Sequence, residues 1–261
     1  MNPYFKTELG ELYNGDCVEV MSELPEKSID LVVTSPPYNC GIEYDSYDDN
    51  MEWKDYYVWC EKWLKGIYRI LKDDGRLCLN HYLSLGQSNN RHAPLMKLNE
   101  MALDLGFQHH GIAIWTDITL TKRTAWGSWL SASAPYINSP YEGILILYKE
   151  RWKKDQSGES TIDKERFMKL CTGVWDMRTE MNGLTKANFP LELPLNCIDL
   201  LSYVGDVVLD PFSGSGTTLI SSEMRKRKWV GIELSEKYCK IAMNRIKVVS
   251  EQNVLTDYGV V

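Results

Sequence analysis

The sequence predicts a doubly wound α/β domain, and three features carry that prediction. Short apolar runs of strand type recur along the 261 residues. Stretches with apolar residues at helical spacing lie between several of them. Glycines, prolines and acidic turns punctuate the joints. The first run, Leu31–Val33 within IDLVVT, leads into the proline-rich stretch Thr34–Tyr38. Glu52–Lys72 follows as a helix, with Tyr56, Trp59, Trp63, Ile67 and Ile70 on one stripe and Asp73-Asp74-Gly75 as its stop. Leu77–Leu79 is the next strand, and Leu95–Leu105 a helix ended by Gly106. Ile112–Trp115 and Ile144–Leu147 are further strands. Leu191–Tyr203 begins as a helix just after Pro190 and ends at Gly205. Val207–Leu209, the helix Thr217–Arg227, the strand Val230–Ile232 and the helix Ser235–Ser250 complete the alternation. Such alternation implies a mostly parallel sheet with helices on both faces.

Length and composition narrow the class further. At 44% hydrophobic and 25% charged, the chain can bury a full core as one domain, with room for a modest insertion. Collagen-like, disordered and disulfide-stapled classes are excluded. The longest convincing apolar run, Gly143–Tyr148, is far shorter than the roughly 18–20 residues of a membrane span. The first residues, MNPYFKTELGEL, lack a basic start followed by an apolar stretch, so no signal peptide is expected. The seven cysteines form no CxxC pair, and the four histidines show no HExxH spacing. Reduced cysteines in a cytoplasmic protein without a metal site are the expectation.

Two stretches break the alternation. Asp117–Pro140 is rich in Thr, Ser, Trp and Pro, with Lys122, Arg123 and Trp126 interleaved. Glu150–Asn188 is polar and mixed in charge, with Arg151, Lys153 and Lys154 near its start. Solvated loops look like this, and so do surfaces that pair basic and aromatic groups for nucleic acid. The expected division is therefore one domain over residues 1–261. Residues 1–116 form its first part, 117–188 an irregular middle, and 189–261 its last part.

Two motifs carry chemistry. In VVLDPFSGSGTT a buried strand reaches Asp210, a loop with Phe212, Gly214, Ser215 and Gly216 follows, and a helix opens at Thr217. Glycines permit close backbone approach and unusual torsions, and a helix start offers free N–H groups. Glu233 ends the next strand, where an acid can accept hydrogen bonds from ribose hydroxyls. The unit reads as a nucleoside-cofactor site. Leu219 stands where the dinucleotide fingerprint wants Gly or Ala, which disfavours a nicotinamide cofactor. The second motif is Thr34-Ser35-Pro36-Pro37-Tyr38, directly after a strand. Two prolines remove two donors and fix the backbone, leaving carbonyls to face a ligand. Ser35 adds a hydroxyl and Tyr38 a flat ring suited to stacking.

Together, TSPPY and DPFSGSGTT resemble the S-adenosylmethionine-dependent DNA methyltransferases that modify exocyclic amino groups. With TSPPY first and the FxGxG loop about 170 residues later, the order is similar to the circularly permuted β class. The resemblance runs from Tyr13-Asn14-Gly15-Asp16 through Ile232-Glu233. It implies a Rossmann-like methyltransferase fold with a small target-recognition insertion, and S-adenosyl-L-methionine as cofactor, leaving as S-adenosyl-L-homocysteine. Carried over, the cofactor contacts would be Asp16, Asp210, Phe212, Gly214, Ser215, Gly216, Thr217 and Glu233. Phe189 and Pro190 match a Phe-Pro that flanks the methionine end, although Thr185 stands where many members have His. The catalytic group would be Ser35, Pro36, Pro37 and Tyr38, acting on a base flipped out of double-stranded DNA.

An aromatic amine is a poor nucleophile, because its lone pair is delocalised into the ring. Ser35 and the Pro36 carbonyl accepting its hydrogens would let charge build on nitrogen during transfer. C5 methylation would need a Pro-Cys nucleophile, and the sequence has none. Within the resembling families a Ser before the two prolines is commoner among cytosine-N4 enzymes, so N4-methylcytosine is expected over N6-methyladenine. An RNA or protein-amide methyltransferase is the more remote alternative. Lys122, Arg123, Trp126, Arg151, Lys153 and Lys154 are the expected DNA-binding residues. Family members often form homodimers. A restriction-modification setting is expected, and no membrane is.

The formal charge of −7 argues against a nucleic-acid partner at first sight. Its distribution says otherwise: residues 1–60 carry a net −10 and the remaining 201 residues a net +3. Much of the acidity lies in Glu43–Asp55, which reads as a mobile, solvated loop.

Overall fold

In a computed structural model of the chain, residues 1–42, 47, 49–87, 90–116, 127–137, 141–179 and 189–257 are described. The strands are β1 (Phe5–Lys6), β2 (Gly10–Asn14), β3 (Ile29–Thr34), β4 (Leu71–Tyr82), β5 (Leu85–Gln87), β6 (Asn90–His92), β7 (Gln108–Thr116), β8 (Glu142–Tyr148), β9 (Val174–Asp176), β10 (Val207–Asp210) and β11 (Lys228–Glu233). The helices are α1 (Cys17–Glu23), α2 (Trp53–Ile70), α3 (Pro94–Asp104), α4 (Lys164–Leu170), α5 (Glu192–Leu201), α6 (Thr217–Met224) and α7 (Glu236–Asp257). Nine strands make one sheet in the order β1-β2-β11-β10-β3-β4-β8-β7-β9, and β5 and β6 form a separate ribbon. The central pairs β2–β11, β11–β10, β10–β3 and β3–β4 are parallel; β8 runs antiparallel to both β4 and β7. This is the doubly wound, mostly parallel sheet the alternation predicts.

Strand alternation, with a register shift between Ile29 and Leu31 of β3, sorts the core. From β3, Ile29 and Val32 join Tyr56, Trp63, Leu64 and Ile67 of α2. Leu31 and Val33 face the other way and pack with Leu193, Cys197 and Ile198 of α5. Every residue of β3 is buried, as a strand with helices on both faces requires. A third cluster, with Leu12, Leu219, Trp229 and Ala242, seats α6 and α7 on the other flank.

Two expectations change here. The α2 helix ends at Ile70 and not at Asp73-Asp74-Gly75. Leu71 already has extended torsions and pairs with Ile29, and Lys72 reaches Asp30 at 2.8 Å. Those contacts draw the acidic turn into β4. The acidic run after TSPPY is also not solvated throughout. Asp49 is buried, and its carboxylate accepts the N–H groups of Asn39, Cys40 and Ile42 at 2.8–3.1 Å. Residues 43–46 and 48 lie outside the described residues.

Candidate active site

The carboxyl ends of β2, β11, β10, β3 and β4, with the amino end of β8, meet along one edge of the sheet. In a doubly wound sheet this edge is where ligands bind. Each sequence motif lands on it.

Asp16 follows β2 as the N-cap of α1, and its Oδ1 accepts the N–H groups of Val18 (2.8 Å) and Glu19 (3.2 Å). The adjoining Gly15 N–H donates to the carbonyl of Glu233 at 3.0 Å, which ties β2's end to β11's. Glu233 then pins the glycine loop: one carboxylate oxygen accepts the Gly214 N–H at 2.7 Å, and the other accepts Ser235 N–H at 2.8 Å. Gly214 and Gly216 both take positive φ, +51° and +82°. Around Gly214 a Cβ would meet nothing within 4 Å, so the loop opens onto free space there. Gly216 caps α6 and packs close to Ala242 of α7.

Ser215 and Thr217 are held by a residue the sequence reading overlooked. Arg245 of α7 donates to the Ser215 carbonyl at 2.7 Å, the Ser215 Oγ at 2.9 Å and the Thr217 Oγ1 at 3.3 Å. Phe212 packs on Trp59 and Trp63 of α2, with centroids 5.5 Å away in both cases. Phe189 is partly buried against the α5-side cluster, and the Pro190 carbonyl accepts from Leu193 in the first turn of α5. Asp210, buried at the end of β10, accepts from Thr34 Oγ1 at 2.7 Å and from the Phe212 N–H at 3.1 Å. Burial pushes its carboxyl up to about 6. It therefore clamps the TSPPY strand to the glycine-loop strand.

The TSPPY turn is built from below. Tyr56 of α2 donates to the Pro37 carbonyl at 2.7 Å and lies 3.1 Å from His81 Nε2. One phenol has one hydrogen, so His81 is the donor in that second contact. Burial holds His81 at about 3, hence neutral. Of the two proline carbonyls, only that of Pro36 accepts no hydrogen bond from the described residues. Tyr38 is buried, its ring stacked on His81 at 4.3 Å and edge-on to Tyr82 at 4.9 Å. Its hydroxyl accepts from Ser35 Oγ at 2.7 Å and from Asn80 Nδ2 at 2.7 Å, and donates to Glu142 Oε2 at 2.7 Å. Asn80 also reaches Glu142 Oε2 at 2.6 Å. Glu142 and Asn80 are diagonal neighbours on the β4–β8 ladder, Glu142 opposite Tyr82 and Asn80 opposite Ile144. Neither carried a sequence signal.

The proposed DNA-binding residues divide. Lys122, Arg123 and Trp126, like Thr185, lie outside the described residues. Lys153 is exposed. Arg151 is held by Asp155 at 2.7 Å, and Lys154 is largely buried between Asp30 and Asp206, 3.2 Å from each. Asp30 lies at the start of β3, at the opposite end of the strand from Ser35. Lys154 is thus spent inside the protein, away from the site, and Arg151 is ion-paired at the surface. Among the described residues no helix is long and apolar enough to cross a membrane.

Comparison with known proteins bears on what this edge does. A family profile described as DNA methylase, of the N6/N4 methyltransferase type, matches residues 29–244. The type II methyltransferase M.MjaVI of Methanocaldococcus jannaschii is 46% identical over 166 residues, 63% of this chain and 83% of its own length. M.BamHI of Bacillus amyloliquefaciens is 32% identical over 267 residues, covering 95% of this chain and 59% of that longer protein. A solved structure of a Thermus thermophilus protein, assigned to the DNA modification methylases and complexed with S-adenosyl-L-methionine, is 29% identical. It superposes with a TM-score of 0.72 over 92% of this chain and 93% of its own.

Proposed function

Because the chain belongs to the DNA methylase family of amino-methyltransferases, we propose that it methylates the N4 amine of a flipped-out cytosine in double-stranded DNA. The broader statement needs no proposal: this is an S-adenosylmethionine-dependent DNA methyltransferase with a Rossmann-like fold. The N4 reading is carried by Ser35 ahead of the two prolines, where a hydroxyl precedes a Pro36 carbonyl that accepts no hydrogen bond from the described residues. The motif order, TSPPY before the glycine loop, supports the permuted β class.

The residues present fit the cofactor. Space opens at Gly214, the start of α6 offers N–H groups, and Asp16 and Glu233 place two carboxylates at the ends of the neighbouring strands β2 and β11. Each carboxylate oxygen has a second lone pair, so Glu233 can hold Gly214 and still accept from ribose hydroxyls. Ser215, Thr217, Phe212, Phe189 and Pro190 complete the proposed walls, while Asp210 acts from beneath by clamping β3 to β10. When bound, S-adenosylmethionine supplies an electrophilic methyl group.

The chain's own part is orientation and charge. Ser35 spends its single hydrogen on Tyr38, which leaves its oxygen lone pairs to accept from the amine. The Pro36 carbonyl takes the other amine hydrogen. Two acceptors in a buried setting favour growing positive charge on nitrogen. Tyr38 offers its ring as a wall of the base pocket; one of its faces already rests on His81. Target recognition falls to the middle segment, 117–188, including Lys122, Arg123, Trp126 and Lys153. Its setting is cytoplasmic, as a type II modification enzyme.

The test is incubation of methyl-labelled S-adenosylmethionine with methylation-free plasmid, bulk RNA and bulk protein in parallel. Label in DNA alone, recovered as N4-methylcytosine, is expected. Recovery as N6-methyladenine overturns the base assignment.

A further inference from the structure

The hydrogen bonds around Tyr38 have only one consistent direction. A carboxylate accepts and never donates, so Asn80 must present its amide nitrogen to Glu142. That nitrogen also donates to Tyr38, and Ser35 Oγ donates to the same phenol oxygen. With both lone pairs filled, the Tyr38 hydrogen goes to Glu142 Oε2. The result is a one-way chain: Ser35 to Tyr38 to Glu142, each link 2.7 Å. Its free end is the Ser35 oxygen, which faces the proposed target amine.

We propose that Glu142 is the terminal proton acceptor of methyl transfer, reached from the target amine through the Ser35 hydroxyl and the Tyr38 phenol. This rests on the amine reading given above. Once nitrogen has bonded to the methyl carbon it carries one hydrogen too many. The N–H bond breaks and leaves its electron pair on nitrogen. The proton joins Ser35 Oγ, the former Ser35 proton passes to Tyr38, and the former Tyr38 proton passes to Glu142. Ser35 and Tyr38 end unchanged, and one carboxylate has become one carboxylic acid.

The surroundings suit that role. Burial raises the Glu142 carboxyl above its ordinary value, partly opposed by the hydrogen bonds from Tyr38 and Asn80, so it is a better proton acceptor than a solvated carboxylate. Tyr38 lies well above the ordinary phenol range through burial and the nearby Glu142, so it conducts without resting as an anion. Other groups facing the chain do not serve. His81, stacked on Tyr38, is neutral and hydrogen-bonded to Tyr56. Asp49 is spent on backbone N–H groups, and Asp210 on Thr34 and Phe212. Tyr82, opposite Glu142 in the ladder, is a phenol and edge-on to Tyr38.

Glu142→Gln is the decisive variant. Its carbonyl oxygen can still accept from Tyr38 and Asn80, but it cannot take a proton. Single-turnover methylation of plasmid DNA is measured from pH 5 to 9, with S-adenosylmethionine and DNA dissociation constants measured alongside. The wild-type rate is expected to rise with pH as Glu142 ionises and then level off. Glu142→Gln loses that rise and is slowed about 100-fold, in the range of general acid–base catalysis, with both dissociation constants within about twofold. Asp210, near 6, adds its own limb, which Glu142→Gln retains and Asp210→Asn removes.

Tyr38→Phe cuts the same relay without touching the carboxylate. It is expected to slow transfer similarly, and the double variant to be no slower than the worse single. Should Glu142→Gln not fold, the Tyr38→Phe rate and pH profile decide alone. A Glu142→Gln or Tyr38→Phe enzyme within threefold of wild type, with the whole wild-type pH profile unchanged, overturns the relay while leaving DNA methylation standing. A wild-type protein that leaves DNA unmethylated overturns both.

Discussion

Gly216→Ala is expected to cost the fold more than Gly214→Ala, although the two glycines sit two residues apart in one loop. Both have positive φ, +82° and +51°, so alanine at either meets the left-handed penalty of about 1 kcal/mol. They part company in space. A Cβ on Gly214 meets nothing within 4 Å, and the penalty stops there. A Cβ on Gly216 lands 2.9 Å from the Ala242 Cβ and 3.3 Å from its Cα, and a helix backbone yields poorly. Overpacking of that kind costs roughly 1–3 kcal/mol more.

The totals are about 1 kcal/mol for Gly214→Ala and roughly 2–4 kcal/mol for Gly216→Ala. For a chain of this size they correspond to melting-temperature losses of about 2–4 °C and roughly 5–15 °C. Thermal and urea unfolding of both variants without ligand reads the difference, and S-adenosylmethionine titration reads the loop. Equal losses, or a larger loss at Gly214, refute the packing of the loop against α7 and the geometry assigned to the cofactor site.

Three further outcomes follow from the same structure. Asp210 is near 6 folded against 3.8 ordinarily, so the folded state holds its proton more tightly, and stability falls as pH rises between about 4 and 6. The full loss is up to about 3 kcal/mol, and urea unfolding across pH should show that Asp210→Asn removes this slope and gains stability at pH 8. Glu233→Gln weakens the clamp on Gly214 and removes a ribose acceptor; calorimetric titration is expected to show S-adenosylmethionine binding roughly tenfold or more weaker, about 1.4 kcal/mol. Of seven free thiols, native labelling should find Cys171 fast. Cys40 should be slow, because burial and Asp49 push its thiol up to about 12, and the five buried cysteines should react only on unfolding.

Much of the fold was legible because local pattern and global position agree. The runs IDLVV, VVLD and WVGIE are β-branched and apolar, and they form β3, β10 and β11 at the centre of the sheet. β2 and α1 escaped because GELYN is polar at both ends and α1 has only seven residues. Their signal was the Asp16 cap, read for its ligand and not for its helix. The halves of the site carried by glycines and prolines were equally plain, since those residues declare backbone geometry. Glu142 and Arg245 were not. Each works through a partner distant in sequence: Glu142 meets Tyr38 across 104 residues, and Arg245 meets Ser215 across 30. An ordinary Glu at a strand start or an Arg in a helix announces nothing alone. The reverse held for Arg151 and Lys154, whose basic character suggested phosphate but whose charge is met by Asp155, Asp30 and Asp206.

The central claim is that Ser35 and the Pro36 carbonyl prepare a cytosine amine for methylation in DNA. Its most direct measurement is nucleoside mass spectrometry of methylation-free plasmid treated with the protein and S-adenosylmethionine, beside a Ser35→Ala control. The account predicts N4-methylcytosine, reduced by about 100-fold in the control. N6-methyladenine, or a Ser35→Ala enzyme as fast as wild type, contradicts it.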